Sequence, residues 1–236
     1  MVQTPIPVAS PGKQGDIGYF SLWVLDAERA IAFYSALLGW EFDGRFINGV
    51  TPRGGVWAGE PSAPTVLLSY RVDDIGDAVR RVRAAGGAAG QPTRESYGAS
   101  ADGTDDQGVR FALWQPLDDA AAPVARRTGD VEYFTLGAPD ADRTRAFYGA
   151  VLGWTFAPGN VPNGWQIENS TPMGGLWGGR SDRQRVQLMF RVDDAATAVA
   201  RVRELGGRAN EPLQMPYGLS VDCYDDQGMA FWLLQT

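Results

Sequence analysis

The chain has 236 residues, 44% of them hydrophobic and 21% charged, which is typical of a globular protein with enough apolar surface for a core. Its net charge of −7 argues against nucleic acid as a partner, because most of the surface would repel phosphates. Residues 1–15 contain no apolar run, so we expect no signal peptide, no membrane span and a cytoplasmic protein.

The first predicted elements are a strand and a helix. Residues 17–24 are rich in aromatic and β-branched side chains and predict the strand. Asp26 can cap a helix whose apolar residues recur at i, i+3, i+4, i+7 and i+8 from Ala30, and Gly39 can end it. Glycine-rich strands are then predicted from about residue 46 to residue 58.

The later elements are an apolar strand, a second helix and a final pair of strands. The apolar strand is predicted over residues 65–72, and the helix starts at Asp73 or Asp74 and ends at a Gly-Gly pair. The last two strands, at about 96–104 and 110–115, are joined by an Asp-Asp-Gln-Gly turn.

Nearly the whole of this plan occurs twice. Phe33-Tyr34 and Leu38-Gly39-Trp40 return as Phe147-Tyr148 and Leu152-Gly153-Trp154, and the Asp-Asp-Gln-Gly turn returns at 225–228. The period far exceeds the roughly 20–50 residues of solenoid repeats, so each copy is a folding unit. We divide the chain into an N-terminal arm (1–15), a first module (16–116), a linker (117–129) and a second module (130–236).

These elements predict an α+β fold of two tandem βαβββ modules, each with a second helix before its last two strands. Each sheet has helices on one face only, which leaves the other face needing cover. We therefore expect the modules to turn their curved free faces towards each other, as an internal pseudo-dimer with a ligand cup between them. The sequence leaves open whether the paired modules dimerise further.

The motifs, taken together and in register in both halves, resemble those of the vicinal oxygen chelate superfamily. They are the Phe-Tyr and Leu-Gly-Trp motifs, the Val-Asp-Asp sequence before the second helix, and the Asp-Asp-Gln-Gly turn. The superfamily includes glyoxalases, extradiol dioxygenases, fosfomycin-modifying enzymes and bleomycin-resistance proteins. The resemblance implies the glyoxalase-like fold, but this fold hosts many activities.

In metal-using members of the superfamily, the ligands are usually His, Glu or Gln on three strands that face the cup. The chain has no histidine, and the matching positions hold Tyr19, Leu67, Ala112, Tyr133, Gln187 and Trp232. Divalent metals of this family prefer imidazole and carboxylate ligands. We therefore expect a protein that uses neither a metal nor another cofactor.

Alternation along the strands predicts which side chains face the cup. The candidate ligand-binding residues share such positions or follow the Gly-Gly pairs: Tyr19, Trp23, Trp57, Ser69, Arg71, Tyr133, Trp177, Gln187, Met189, Arg191, Tyr224 and Trp232. Together they predict an aromatic and polar site.

Several of these residues have a structural interpretation as well. Trp57 and Trp177 either stack on a flat ligand or belong to the core between the modules. Arg71 and Arg191 either pair with a ligand carboxylate or phenolate, or bind the aspartate two residues further on. For the single cysteine, Cys223, we expect a buried thiol rather than a reactive one.

Asp102 and Asp222 are the candidate catalytic residues if the protein is an enzyme. Each lies in the middle of an apolar-flanked strand, where burial of a carboxylate is costly unless it is hydrogen-bonded or used. A raised pKa at such a position would suit a general acid or base. The alternative is a structural hydrogen bond across the sheet.

Three functions follow from these patterns. The first is metal-independent binding of a small molecule, an aromatic natural product that is sequestered as bleomycin-resistance proteins do, which would confer antibiotic resistance. The second is a metal-free isomerase, cyclase or lyase of natural-product metabolism, using Asp102 or Asp222 with Tyr19 or Tyr133. The third is a structural or signalling protein whose cups are filled by its own side chains.

Overall fold

The computed structural model describes residues 12–59, 64–117, 126–180 and 185–236. Within these ranges the chain forms two nine-stranded sheets and four helices. Ala121, in the middle of the predicted linker, and residues 1–11 of the predicted N-terminal arm lie outside the described residues. No helix in the described part of the chain is long and apolar enough to cross a membrane.

The first half of the chain contributes nine strands and two helices. In chain order they are β1 (Ile17–Val24), α1 (Ala27–Leu38), β2 (Glu41–Asp43), β3 (Phe46–Asn48), β4 (Arg53–Ala58), β5 (Thr65–Arg71), α2 (Ile75–Ala84), β6 (Ala88–Ala89), β7 (Thr93–Glu95), β8 (Gly98–Thr104) and β9 (Arg110–Pro116). The order across the sheet is β2-β3-β4-β1-β5-β9-β8-β6, and β7 pairs with β8.

The second half repeats this arrangement. Its elements are β10 (Val131–Ala138), α3 (Ala141–Leu152), β11 (Phe156–Pro158), β12 (Gly164–Ile167), β13 (Met173–Gly178), β14 (Val186–Arg191), α4 (Ala195–Glu204), β15 (Arg208–Ala209), β16 (Leu213–Met215), β17 (Gly218–Tyr224) and β18 (Ala230–Gln235). The two curved sheets confirm the predicted α+β fold of two glyoxalase-like modules.

Local sequence signals account for the helix ends. The Asp26 side chain accepts hydrogen bonds from the backbone N–H groups of Glu28 and Arg29, at 3.0 and 3.1 Å, and so caps α1. Gly39 ends this helix with φ of 68°, a left-handed conformation that favours glycine. Asp74 rather than Asp73 caps α2. Both predicted ends of α1 are therefore confirmed.

Each sheet has one face covered by helices and one face that the helices leave open. In β1, Phe20, Leu22 and Val24 are buried in the hydrophobic core, while Tyr19 and Trp23, which alternate with them, are only half-buried. We call the side of the first sheet that carries Tyr19 the first open face. The equivalent side of the second sheet, which carries Tyr133, is the second open face.

The modules join through their helix-covered faces. Tyr34 at α1 and Trp40 after it pack against Phe190 of β14, with ring centroids 6.3 and 5.2 Å apart. Tyr148 and Trp154 pack against Tyr70 of β5 in the same way, at 5.7 and 5.3 Å. The expectation that the free faces turn towards each other is therefore wrong. Instead, the aromatic side chains of α1 and α3 pack against the sheet of the opposite module.

Two repeated motifs hold this interface. The Trp40 and Trp154 indole N–H groups donate to the backbone carbonyls of Gly129 and Gly15, at 3.2 and 2.9 Å, which accounts for the two Leu-Gly-Trp motifs. In each Asp-Asp-Gln-Gly turn, the glutamine bonds the backbone of the N-cap aspartate in the opposite module. Both motifs are thus explained by packing between modules.

The first aspartate of each turn accepts a hydrogen bond from a tyrosine hydroxyl of the opposite module. Tyr34 Oη donates to Asp225 at 3.1 Å, and Tyr148 Oη donates to Asp105 at 3.4 Å. All four side chains are buried, and burial is the main reason that the pKa values of both aspartates are raised. These bonds form a pair of polar locks inside an otherwise apolar interface.

Candidate functional site

A single row of side chains crosses the middle of the second open face. Strand pairing places Tyr133 of β10 beside Met173 of β13 and Met189 of β14, and Met189 beside Trp232 of β18. Asp222 of β17 completes the row. The row therefore combines two thioether side chains with two aromatic side chains on one surface.

Much of this face is exposed apolar surface. Nine large hydrophobic side chains are exposed in the described residues, and four of them occupy strand positions on the second open face: Met173, Trp177, Leu213 and Tyr224. A fifth, Tyr217, lies close enough to Tyr133 to influence its ionisation. Large apolar side chains left exposed on one face of a sheet make that face a candidate ligand-binding surface.

Tyr133 lies flat on the sheet because the neighbouring strand has no side chain there. A Cβ atom at Gly175 of β13 would overlap the Tyr133 hydroxyl, so the glycine makes room for the ring. Burial raises the pKa of Tyr133 to about 12. At neutral pH this phenol is therefore a neutral hydrogen-bond donor and not a base.

The two candidate catalytic aspartates are exposed, so the expectation that they are buried is wrong. Asp222 accepts a hydrogen bond from the Trp232 indole N–H of the adjacent strand. Asp102 occupies the matching position beside Ala112, which has no donor to offer it. The desolvation argument for an acid or base role fails because water reaches both carboxylates.

The first open face has the same framework and different chemistry. Its central row consists of Arg53, Tyr19, Ser69, Ala112 and Asp102. Near one end, Trp23 stacks on Trp57 with ring centroids 6.3 Å apart and planes at 28°. The register also shows that Ser69, and not Leu67, lies directly beside Tyr19, while Leu67 lies beside Ser21.

Trp57 and Trp177 pack within their own modules. Trp57 contacts Trp23 and the edge of Phe46, and Trp177 lies under the Arg180 guanidinium at 4.4 Å. Neither contact involves the interface between the modules, so the interpretation of these tryptophans as interface core is wrong.

The two strand-end arginines bind carboxylates of their own modules. Arg71 is buried and pairs with Asp73 at 3.3 Å, as the structural interpretation expects. Arg191 binds Glu132 at 2.8 Å instead of Asp193. In the first module the position of Glu132 is Gly18, which Trp114 of β9 covers.

The remaining predicted residues have simple surroundings. Gln187 lies half-buried beside Thr135, and Tyr224 stands at the sheet edge under the Arg208 guanidinium at 4.7 Å. Cys223 is buried, and burial raises the pKa of its thiol to about 12. A thiol that stays protonated at neutral pH is not a nucleophile, which agrees with the expected structural role.

The residues on the open faces do not fit the divalent metal of the fold family. Each central row offers a single carboxylate, Asp102 or Asp222, beside phenol, hydroxyl, thioether and indole groups, whereas such a metal needs several imidazole or carboxylate ligands. No group of three His, Cys, Asp or Glu side chains comes together in the described ranges. We therefore derive no chemistry through a metal.

Sequence reasoning missed three residues of these faces: Arg53, Met173 and Trp114. Arg53 and Met173 come two residues before the second glycine of each Gly-Gly pair, so the alternation that selected Trp57 and Trp177 could have found them. Trp114 follows Ala112 by two residues, and the same rule applies to it. The alternation that places these residues on the open faces is therefore visible in the sequence.

Comparisons with known proteins agree with this architecture. A family model for a glyoxalase-like domain matches residues 133–233. The chain is 27% identical to the putative glyoxylase CFP32 of Mycobacterium tuberculosis over 98% of both chains. It is also 27% identical to the anthracycline biosynthesis protein DauV of Streptomyces sp. (strain C5), over 94% of this chain and 93% of DauV.

Solved structures show the same fold across both modules. The 2,3-dioxygenase LapB from Pseudomonas sp. KL28 matches with a TM-score of 0.73 and 13% identity, over 96% of this chain and 94% of that chain. Residues 133–233 therefore match the glyoxalase-like domain family, and the chain as a whole shares the fold of LapB.

Proposed function

We propose that the protein binds a flat aromatic natural product on the second open face and holds it without a metal. The observation that carries this proposal is the set of exposed apolar side chains on this face, around a row in which Met173 is exposed, Tyr133 and Trp232 are half-buried and Met189 is buried. Monomeric proteins rarely leave such surface open unless it binds something.

The side chains of this face favour a flat ring system. Aromatic groups such as Trp232 and Tyr217 gain about 0.5–1.5 kcal/mol from a well-placed ring beyond the burial of area. Methionines adapt their shape and contact aromatic rings favourably, and Met173 and Met189 lie on either side of Tyr133. Gln187 offers hydrogen bonds that can orient the ligand.

Two observations favour binding over conversion. Burial raises the pKa of Tyr133 to about 12, so this phenol does not act as a base at neutral pH. Asp222 is exposed and accepts a hydrogen bond from the Trp232 indole N–H, and the titratable group next to it is the buried, protonated Cys223 thiol. The likeness to DauV, which is named for anthracycline biosynthesis, supports a natural-product ligand. Sequestering such a compound would protect the cell that makes it.

The binding site is tested with two probes and a matched pair of variants. N-phenyl-1-naphthylamine and an anthracycline are titrated into the protein, and affinity is followed by fluorescence. Tyr217→Ser should weaken binding by about 2- to 10-fold, the loss of one aromatic contact. Tyr97→Ser removes the equally exposed tyrosine at the same position of the first sheet and should change nothing. Equal effects of both variants would contradict the proposal.

Conversion of the ligand distinguishes a binding protein from a metal-free enzyme. If the protein only binds, Asp222→Asn should change affinity by no more than about 1–3 kcal/mol, and chromatography should show the anthracycline unaltered. If Asp222 is a general base, the same change should slow turnover by about 10²–10⁴-fold. Asp102→Asn asks the same question of the first sheet. Turnover that either variant abolishes would favour the enzyme.

A further inference from the structure

The two open faces differ most at positions that the fold makes equivalent. Arg53 occupies the strand position that Met173 occupies in the second module, since Tyr19 pairs with one and Tyr133 with the other. Ser69 likewise stands where Met189 stands beside the second tyrosine. One face therefore presents a cation and a hydroxyl at the sites where the other presents thioethers.

Arg53 is a half-buried guanidinium without a carboxylate partner in the described ranges. The Tyr19 phenol interacts electrostatically with it, and burial lowers the pKa of the arginine. A partly desolvated cation is costly when no anion is close to it. Arg71 and Arg191, which end β5 and β14, by contrast both bind acidic side chains. Arg53 can therefore bind an anion that a ligand supplies.

Hydrogen-bond donors exceed acceptors around Arg53. The Tyr19 hydroxyl is buried next to the Trp57 indole N–H, and its own proton has no acceptor in the described part of the chain. Burial raises the pKa of Tyr19, so this phenol keeps its proton at neutral pH. A donor beside a cation is complementary to a carboxylate, which only accepts. The Trp23 indole N–H, also buried without a partner in these ranges, lies further along the face beside Trp57.

An aromatic platform lies on the same strand as the arginine. Arg53, Gly55 and Trp57 share one face of β4, so the Cα atoms of Arg53 and Trp57 are about 13 Å apart. Gly55 between them carries no side chain, and the Tyr19 hydroxyl, the Arg45 carbonyl oxygen and the Trp57 indole nitrogen lie over it. Trp23 and Phe46 support Trp57 from two sides. A flat molecule can therefore reach from the guanidinium to the indole.

We propose that the first open face is a second site, separate from the one on the second sheet, and that it binds a flat aromatic carboxylate. Arg53 pairs with the carboxylate through its planar fork, and Trp57 contacts the ring system. This site has other residues than the site of the proposed function and binds an anion. Either proposal can therefore be refuted while the other stands.

The test compares a charged probe with a neutral one of the same shape. 2-Naphthoate and 2-naphthamide are titrated into the full chain by calorimetry, with thermal melting to show that each variant is folded. Arg53→Gln should weaken 2-naphthoate by about 10-fold and leave 2-naphthamide within about 2-fold, since a charge-assisted bond is lost only with the anion. Added salt should weaken 2-naphthoate alone.

Arg94→Gln is the matched control, because it removes an exposed arginine on β7 of the same sheet that belongs to neither proposed site. It should leave 2-naphthoate affinity unchanged. Arg53→Lys should bind more weakly than the wild type and more tightly than Arg53→Gln, because an ammonium group keeps the charge and lacks the planar fork. The proposal is overturned if the wild-type chain does not bind 2-naphthoate at millimolar concentration. It is equally overturned if Arg53→Gln binds 2-naphthoate as tightly as the wild type, or if Arg94→Gln weakens it as much.

Discussion

Removing one hydroxyl from the module interface tests whether the two modules fold as one unit. Tyr34→Phe deletes the donor to Asp225 Oδ2 and keeps the ring, whose stack on Trp40 at 5.3 Å is retained. Asp225 Oδ1 still accepts from two backbone N–H groups, while the other oxygen stays buried without its donor. Hydrogen bonds to charged groups contribute about 1.5–3 kcal/mol, so we expect the free energy of unfolding to fall by about 2 kcal/mol.

The equivalent variant in the other module and an exposed control provide comparisons for this expected loss of stability. Tyr148→Phe should cost about as much as Tyr34→Phe: its bond to Asp105 is longer, at 3.4 Å against 3.1 Å, but its hydroxyl also bonds the buried Tyr70 hydroxyl. Tyr224→Phe changes an exposed phenol and should stay within about 0.5 kcal/mol of the wild type. Urea unfolding is followed by tryptophan fluorescence and circular dichroism. The reasoning is refuted if Tyr34→Phe costs no more than Tyr224→Phe, or if the wild type unfolds in two separate steps.

Three further outcomes are expected. Burial raises the pKa of Asp225, so the folded chain holds this proton to higher pH than the unfolded chain, and the associated stability is lost as pH rises above about 4. The stability of Asp225→Asn relative to the wild type should therefore increase between pH 4 and pH 7 in urea titrations, and a constant difference would contradict this. EDTA should leave the melting temperature unchanged, and elemental analysis should find no stoichiometric transition metal; one zinc, iron, manganese or nickel per chain would contradict metal independence. After cleavage at a protease site inserted near Ala121, the halves should elute together from a sizing column, and separate elution would show that the interlocked helices do not hold them.

The sequence predicted those parts of the fold that local chemistry determines. An aspartate cap and a glycine stop delimit α1 at the predicted residues, because both act within one turn of the helix. The short strands β2, β6 and β7 were not predicted. Each has only two or three residues: β6 and β7 form on the longer strand β8, and β2 pairs with the equally short β3.

The sequence patterns do not predict how the two modules join. Helical spacing shows that Phe33 and Tyr34 face inward, but it does not show that the surface they meet includes strands of the other module. The burial of Asp102 and Asp222 was wrongly predicted for a related reason. Alternation gives the side of the strand on which a residue lies, whereas burial depends on what covers that side.

Comparison of the two copies separates residues that serve packing from residues that serve binding. At the interface the copies agree, since Tyr34 and Trp40 of the first module match Tyr148 and Trp154 of the second in both type and contact. Any change there would disturb both modules at once, because each lock uses a residue from each half.

On the open faces the copies disagree at three of the five positions of the central row and share only the tyrosine and the aspartate. Arg53 corresponds to Met173, Ser69 to Met189 and Ala112 to Trp232, although the strands and the register are the same. Backbone pairing places no demand on these side chains, so the fold tolerates either set. A polar, cationic row and an apolar, aromatic row on identical frameworks fit two different ligands better than two equal sites for one ligand.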